Sequence, residues 1–219
     1  MVGKEGVNMR IRCALDLLTP PVVAQACRKL MRSARGPRVA RQLEGHDRLH
    51  LACGTSVLNG WANIDLKSNG AVVGWDLTDR LPVRAGAIDL VFCEHFIEHL
   101  TMKQATALLV DCHRVLRPNG TLRLSTPSLK KVVTEYASGR TQEWRDVGWN
   151  PATPCQMVNE AFRLWGHRFV YDEEELRRIL DDAGYREVTQ VAWHESTTPA
   201  LRGLECRPFH GEIILEATK

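Results

Sequence analysis

From residue 48 onward, short apolar runs alternate with stretches of helical periodicity, and this alternation limits the fold more than any other feature of the chain. A strand that is apolar along its whole length needs cover on both faces, which a parallel sheet between helices provides. Residues 48–52, 61–66, 71–75, 87–93, 121–126, 185–193 and 211–217 read as strands. The run Ile88, Leu90, Val91, Phe92 is the most continuous and marks a buried strand. A helix begins at Thr101, which forms a capping box with Gln104. Its stripe of Ala105, Leu108, Leu109, Cys112, Val115 and Leu116 has helical spacing, and Pro118-Asn119-Gly120 stops it. Residues 129–137 predict a second helix. Asp172 caps a third, whose inner face is Leu176, Ile179, Leu180 and Ala183 and whose end is Gly184. Residues 138–167 lack strong periodicity and hold Trp144, Trp149 and Trp165, so they are expected to form an irregular lid or binding insert.

The 219 residues, 44% hydrophobic, suit one α/β domain with appendages. No stretch approaches the about 20 uninterrupted apolar residues of a membrane span. The segment 13–27 contains Ala24-Gln25-Ala26, but Asp16 and Pro20-Pro21 interrupt it, so it is not read as a cleaved signal. Seven cysteines (Cys13, Cys27, Cys53, Cys93, Cys112, Cys155 and Cys206) include no CxxC pair, and they read as reduced thiols of a cytoplasmic protein. Residues 1–48 carry ten Lys/Arg against four Asp/Glu, and the remainder nineteen against twenty-two. Residues 1–47 are therefore expected to form a basic helical arm, broken at Gly36-Pro37. Such an arm suits a solvated helix, with peripheral contact to an acidic membrane surface or a neighbouring biosynthetic enzyme as the sharper alternative.

Polar groups recur at the carboxyl ends of successive strands, where open α/β sheets bind ligands. Leu51-Ala52-Cys53-Gly54 is a small-residue turn that lets a ligand approach the backbone. Asp65, followed by Leu66, ends the next strand, and a carboxylate there accepts hydrogen bonds from both ribose hydroxyls of a nucleoside. Asp76-Leu77 follows the third strand and Cys93-Glu94-His95 the fourth.

In order, LHLACG, GWANIDL, DLTDRLPV, AIDLVFCEHFIEHL and RVLRPNGTLRLSTP resemble the small class I S-adenosylmethionine-dependent methyltransferases. NEAFRLWGHRFVYDEEELRRILDDAGY, HES and LRGLECR extend the resemblance over about residues 48–218 and are similar to a subgroup found with glycan and natural-product biosynthesis. The resemblance implies a Rossmann-like α/β fold with a seven-stranded, mostly parallel sheet in the order 3-2-1-4-5-7-6, strand 7 antiparallel. It implies S-adenosylmethionine as cofactor, bound by Leu51, Ala52, Cys53, Gly54, Asp65, Leu66, Asp76, Leu77, Cys93 and Glu94. Ala52 stands where the family has its first loop glycine, and His50 where larger members have an acid. Only residues 55–60 separate the turn from the second strand, so a short turn is expected there in place of a crossover helix.

The implied reaction is in-line displacement of the sulfonium methyl by an oxygen or nitrogen of a small molecule or sugar. A histidine suits the proton acceptor, with His95 first, then His167 and His99. Trp165, Glu195, Ser196, Glu205 and Arg207 are the expected acceptor-binding residues. His95-Phe96-Ile97-Glu98-His99 also spells the inverted zinc-protease pattern, but no third ligand is marked and no metal is expected. A nicotinamide enzyme would want GxGxxG, of which Gly54 alone remains. No stacking platform for nucleic acid is visible. The remaining alternative, motivated by Ala52, is a catalytically degenerate scaffold of the same fold.

Overall fold

The computed structural model describes residues 35–144 and 148–219. Residues 1–34 of the expected arm, with Cys13 and Cys27, therefore lie outside the described residues. The chain divides into two compact units, Met1–Gln42 and Leu43–Lys219. In the first, Gly36 and Pro37 lie within helical backbone and not in a break. Proline's fixed φ is itself a helical value. The second unit carries the sheet.

β4 (Ile88–Glu94) is buried along nearly its whole length, and it takes the centre of the sheet. β1 (Arg48–Leu51) pairs with it on one side and β5 (Leu116–Thr126) on the other, both parallel. β2 (Ala62–Asp65) and the two-residue β3 (Val73–Gly74) extend one edge. At the other edge, β7 (Ile213–Thr218) lies antiparallel between β5 and β6 (Arg186–Gln190). The order is β3-β2-β1-β4-β5-β7-β6, as the resemblance implies.

α1 (Met102–Val115) has the predicted capping box: Gln104 N–H donates to Thr101 Oγ1, and Thr101 N–H to Gln104 Oε1 at 3.0 Å. Its expected apolar face is buried except that Leu116 already belongs to β5. β5 thus starts five residues before the expected strand. Leu116 pairs with Ile88, regular pairing resumes at Leu90 and Thr121, and the residues between bulge out through Asn119 at φ 66°. A Cβ at Gly120 would meet Arg117 O at 2.9 Å, so the bulge requires glycine there. α2 (Leu129–Ala137) runs as predicted.

The segment 138–167 is not irregular throughout. Residues Pro154–Arg163 form α3, started by Thr153, whose Oγ1 accepts the Gln156 N–H at 3.1 Å, and by Pro154 in the first turn. Met157 and Ala161 pack on Val132 of α2 and on Trp149. With only two buried apolar residues, the helix gives a weak periodic signal, although Thr-Pro-x-Gln is a start signal in its own right. α4 (Glu173–Asp182) begins at Asp172, whose Oδ1 accepts the Glu175 N–H, and Gly184 follows it at φ 95°.

The short β1–β2 connection contains no helix, so one sheet face needs other cover. On that face the register aligns Asn63, His50, Phe92, Arg123 and Glu216 in a row across five strands. Leu201 and Leu204, from the long β6–β7 connection, pack with Trp61 on Leu90 and Phe92. Polar members of the row satisfy one another. His50 Nδ1 lies 3.1 Å from Asn63 Oδ1. Arg123, fully buried, donates to Glu205 Oε1 and Glu216 Oε1, each at 2.6 Å, and to the Glu195 carbonyl at 2.8 Å.

Two predictions follow from this row. Replacing Arg123 by Met strands two buried carboxylates, so Arg123→Met should lose about 3–5 kcal/mol in urea denaturation. Burial, partly offset by Asn63 and Asp65, lowers the His50 pKa below 6.5. Native His50 therefore resists a proton that the unfolded chain accepts, and its contribution holds above about pH 6.5 and falls away as pH drops. Between pH 7.5 and 5, the wild type should lose stability relative to His50→Gln; parallel denaturation curves with a constant difference would contradict this.

Candidate active site

β1 ends in a turn that the sequence builds from small residues. Ala52 and Gly54 both take positive φ, 53° and 55°. The Cys53 N–H donates to Ile64 O, and the Gly54 N–H to Asp65 Oδ2 at 2.9 Å. Space around Gly54 is open, and Asp65 is only half-buried beside it. The register brings Cys93 level with Leu51 and Gly74 level with Asp65. Leu51, Asp65, Gly74 and Cys93 thus lie level with one another at the carboxyl ends of the first four strands. Asp76 folds the following turn, its Oδ1 accepting the Thr78 N–H at 3.0 Å and the hydroxyl at 2.7 Å. Beside it the buried Trp75 Nε1 has no hydrogen-bond partner among the described residues. An accessible carboxylate, an open glycine turn and an unpaired indole donor fit a nucleoside-bearing ligand.

Four expected contacts do not offer side chains to a ligand. Leu77 is buried in the core and Leu66 is exposed on the surface. Leu66 lies in the bend after β2, and Leu77 in the turn that Asp76 caps, so neither continues a strand toward the ligand. Glu94 is buried and accepts the backbone N–H groups of Cys206 and Arg207, so it anchors the β6–β7 connection. Burial raises its pKa, with those N–H groups only partly opposing. Cys93 is likewise an inert buried thiol, its pKa pushed up by burial.

His95 follows β4 at φ 48°. Its Nδ1 lies 3.4 Å from Glu98 Oε1 and its Nε2 3.4 Å from Glu212 Oε1. Burial alone would lower the His95 pKa, but Glu212 and Glu98 outweigh it and raise the value to about 9. His95 is thus a cation near neutral pH, with no lone pair to receive a proton. This corrects the expectation that it is the first choice of general base. Glu98, fully buried, is held below the usual carboxylate range because His95 overcomes the cost of burial. His167 is the opposite case. Burial lowers its pKa, and its Nδ1 lies 2.8 Å from Ala161 O, so Nδ1–H donates and Nε2 keeps its lone pair.

His95, His99 and His167 meet in a cavity of about 240 Å³, together with Glu98. The His99 and His167 rings stand edge-on at 5.1 Å. The lining also includes Trp165, Arg207 and Trp144, with Trp165 tilted against the His167 ring at 5.6 Å and Trp144 stacked between Trp165 and His210 at ring distances of 5.5 and 4.6 Å. Of the expected acceptor-binding residues, Trp165 and Arg207 are here. Glu205, Ser196 and Glu195 are not. Glu205 is held by Arg123, the Ser196 Oγ accepts the Thr198 N–H, and Glu195 is exposed with its carbonyl on Arg123. Arg123 of the polar row takes Glu205 and the Glu195 carbonyl and so holds the β6–β7 connection against the sheet. Glu212 and His210 had no local signal, since their role depends on His95 and Trp144 far away in sequence.

Residues 57–124 match the family model described as a methyltransferase domain. No curated protein matches the chain in sequence. Among solved structures, an S-adenosylmethionine-dependent methyltransferase from Thermotoga maritima is 15% identical, with a TM-score of 0.50 over 88% of this chain and 97% of that one. The fold is the Rossmann-like methyltransferase fold. Another such enzyme, from Archaeoglobus fulgidus, is 16% identical over 86% of this chain and 94% of its own, with a TM-score of 0.49. The family match supports S-adenosylmethionine as the cofactor. Within the methyltransferase fold, Ala52 occupies left-handed backbone, which costs a residue with a Cβ about 1–2 kcal/mol, while glycine loses about 0.5–1 kcal/mol more entropy on folding. Ala52→Gly should therefore leave the denaturation midpoint unchanged or raised, and Ala52→Val should lower it.

Proposed function

We propose that this chain is an S-adenosylmethionine-dependent methyltransferase acting on an oxygen or nitrogen of a small molecule or sugar. The observation that carries the proposal is the join between two sites at the sheet edge. β4 sets Cys93 beside Leu51 of the cofactor turn and, two residues on, sends His95 into the cavity. A ligand on the turn and an acceptor in the cavity would thus meet across the end of β4. S-adenosylmethionine supplies a sulfonium methyl that is already activated for displacement.

The protein's part is then binding, orientation and exclusion of water. Asp65 takes the ribose hydroxyls while the Gly54 N–H keeps its carboxylate in place. Trp165, partly exposed at the end of the Trp144 stack, offers a flat apolar surface for a sugar or an aromatic ring. Removal of the acceptor's proton falls to the end of the cavity where His99 and His167 meet, because His95 already holds one. The buried His95 cation, fixed between Glu98 and Glu212, keeps the mouth of β4 rigid. The small-molecule or saccharide class rests on this aromatic wall and on the cavity's size.

Calorimetric titration with S-adenosylmethionine and S-adenosylhomocysteine tests the reading. Binding in the micromolar range is expected, weakened at least about tenfold in Asp65→Ala, the loss of charge-assisted hydrogen bonds being worth about 1.5–3 kcal/mol. No binding to the folded protein would replace this proposal with the scaffold alternative.

A further inference from the structure

The end of the cavity gathers more than a proton acceptor needs. One ligand atom from each of Glu98, His99 and His167 lies within 4.8 Å of the other two. We propose that Glu98, His99 and His167 bind a divalent transition-metal cation of the zinc class at the floor of the cavity.

Three features beyond proximity carry the assignment. The first concerns Glu98. Its side chain is fully buried, and its Oε1 makes no hydrogen bond. The groups nearest that oxygen are His95 Nδ1 at 3.4 Å and His99 Nε2 at 3.9 Å. Its other oxygen accepts the Thr126 hydroxyl at 3.0 Å, which fixes the carboxylate plane. The second concerns His167. Donation from Nδ1 to the Ala161 carbonyl sets the tautomer and leaves Nε2 as the free lone pair, the arrangement usual for a metal-binding histidine. The third is a backbone clamp. The Glu98 carbonyl accepts the N–H groups of Arg168 at 2.7 Å and Phe169 at 3.2 Å. That clamp joins the short turn Ile97–His99 to the residues following His167, so ligands distant in sequence are held together.

Two imidazoles and one carboxylate form a donor set suited to zinc and its neighbours rather than to magnesium, which prefers oxygen. In a tetrahedral site with bonds of about 2.0–2.2 Å, the ligand atoms stand roughly 3.3 Å apart, so a modest inward turn of the half-exposed His99 closes the set. Three protein ligands leave a fourth position, and all three ligands line the cavity. The pattern differs from the inverted zinc-protease reading of the same residues. Glu98 is a ligand and not a base, His95 is engaged by the two carboxylates, and the third ligand comes from beyond α3. The use of the cation, though not its binding, rests on the methyl-transfer reading: an acceptor hydroxyl would fill the open position, where the cation would lower its pKa and let its proton leave to water, so that the coordinated His99 and His167 need not take it.

The test needs no methyl transfer. The full chain, stripped with a chelator, is titrated with zinc chloride by calorimetry, with magnesium chloride as a control, and is loaded with cobalt(II) for visible absorption. One equivalent of zinc should bind with micromolar or tighter affinity, magnesium should not, and cobalt should show the intense visible bands of a four- or five-coordinate site. His99→Ala, at a half-exposed position that leaves the fold intact, should weaken zinc at least tenfold, and His99→Ala combined with His167→Ala should abolish the one-equivalent phase and the cobalt bands. Absence of that phase in the wild type would overturn the proposal. So would zinc affinity unchanged in the double variant, since the metal would then sit on other residues such as Cys155 or Cys206. The S-adenosylmethionine titration separates the two ideas: cofactor binding without zinc binding overturns the metal site alone.

Discussion

Arg123 is the interaction on which the rest of the site depends. Its guanidinium lies against one face of the sheet with no access to water, and it donates to two carboxylates and a carbonyl. A buried charge is tolerable only when paired and hydrogen-bonded, so the position of Glu205 and Glu195 is forced rather than chosen. Holding them brings the β6–β7 connection onto a sheet face that has no β1–β2 helix to cover it. Leu201 and Leu204 then pack on Phe92, and the chain running on from Glu205 delivers the Cys206 and Arg207 N–H groups to Glu94. From that anchor the segment reaches the cavity with Arg207 and His210, and Glu212 meets His95.

The cavity repeats the same logic at smaller scale. His95 leaves β4 in left-handed backbone and is clasped by Glu98 and Glu212, one from the turn that follows it and one from the strand entry of β7. Charge pairing thus uses up the histidine that sequence position favoured, and it leaves His99 and His167 to face the acceptor. Chemistry and architecture compete for the same ionisable groups here, and burial decides the outcome for each.

Much of the fold was legible from residues near one another. The capping box at Thr101, the cap at Asp172 and the glycine at Gly184 act within a few positions, and the structure keeps all three. α3 was missed because only Met157 and Ala161 of its ten residues are buried, although Thr153-Pro154 marked its start. The Leu116 end of β5 was missed because pairing across a bulge depends on the neighbouring strand. In the site, the turn at Leu51–Gly54 and Asp65 were readable as strand-end features. Glu205 was misassigned because its partner Arg123 lies 82 positions away.

The sequence by itself determined the strand and helix succession, the edge at which a ligand binds, and the three histidines that line the cavity. Periodicity, caps and strand ends are local signals, carried by backbone geometry over a few residues. Tertiary structure alone decided the charge state of His95, the burial of Glu98, and the meeting of Glu98 and His99 with His167. Those outcomes follow from desolvation and from partners brought together across the sheet, and neither quantity exists until the chain has folded.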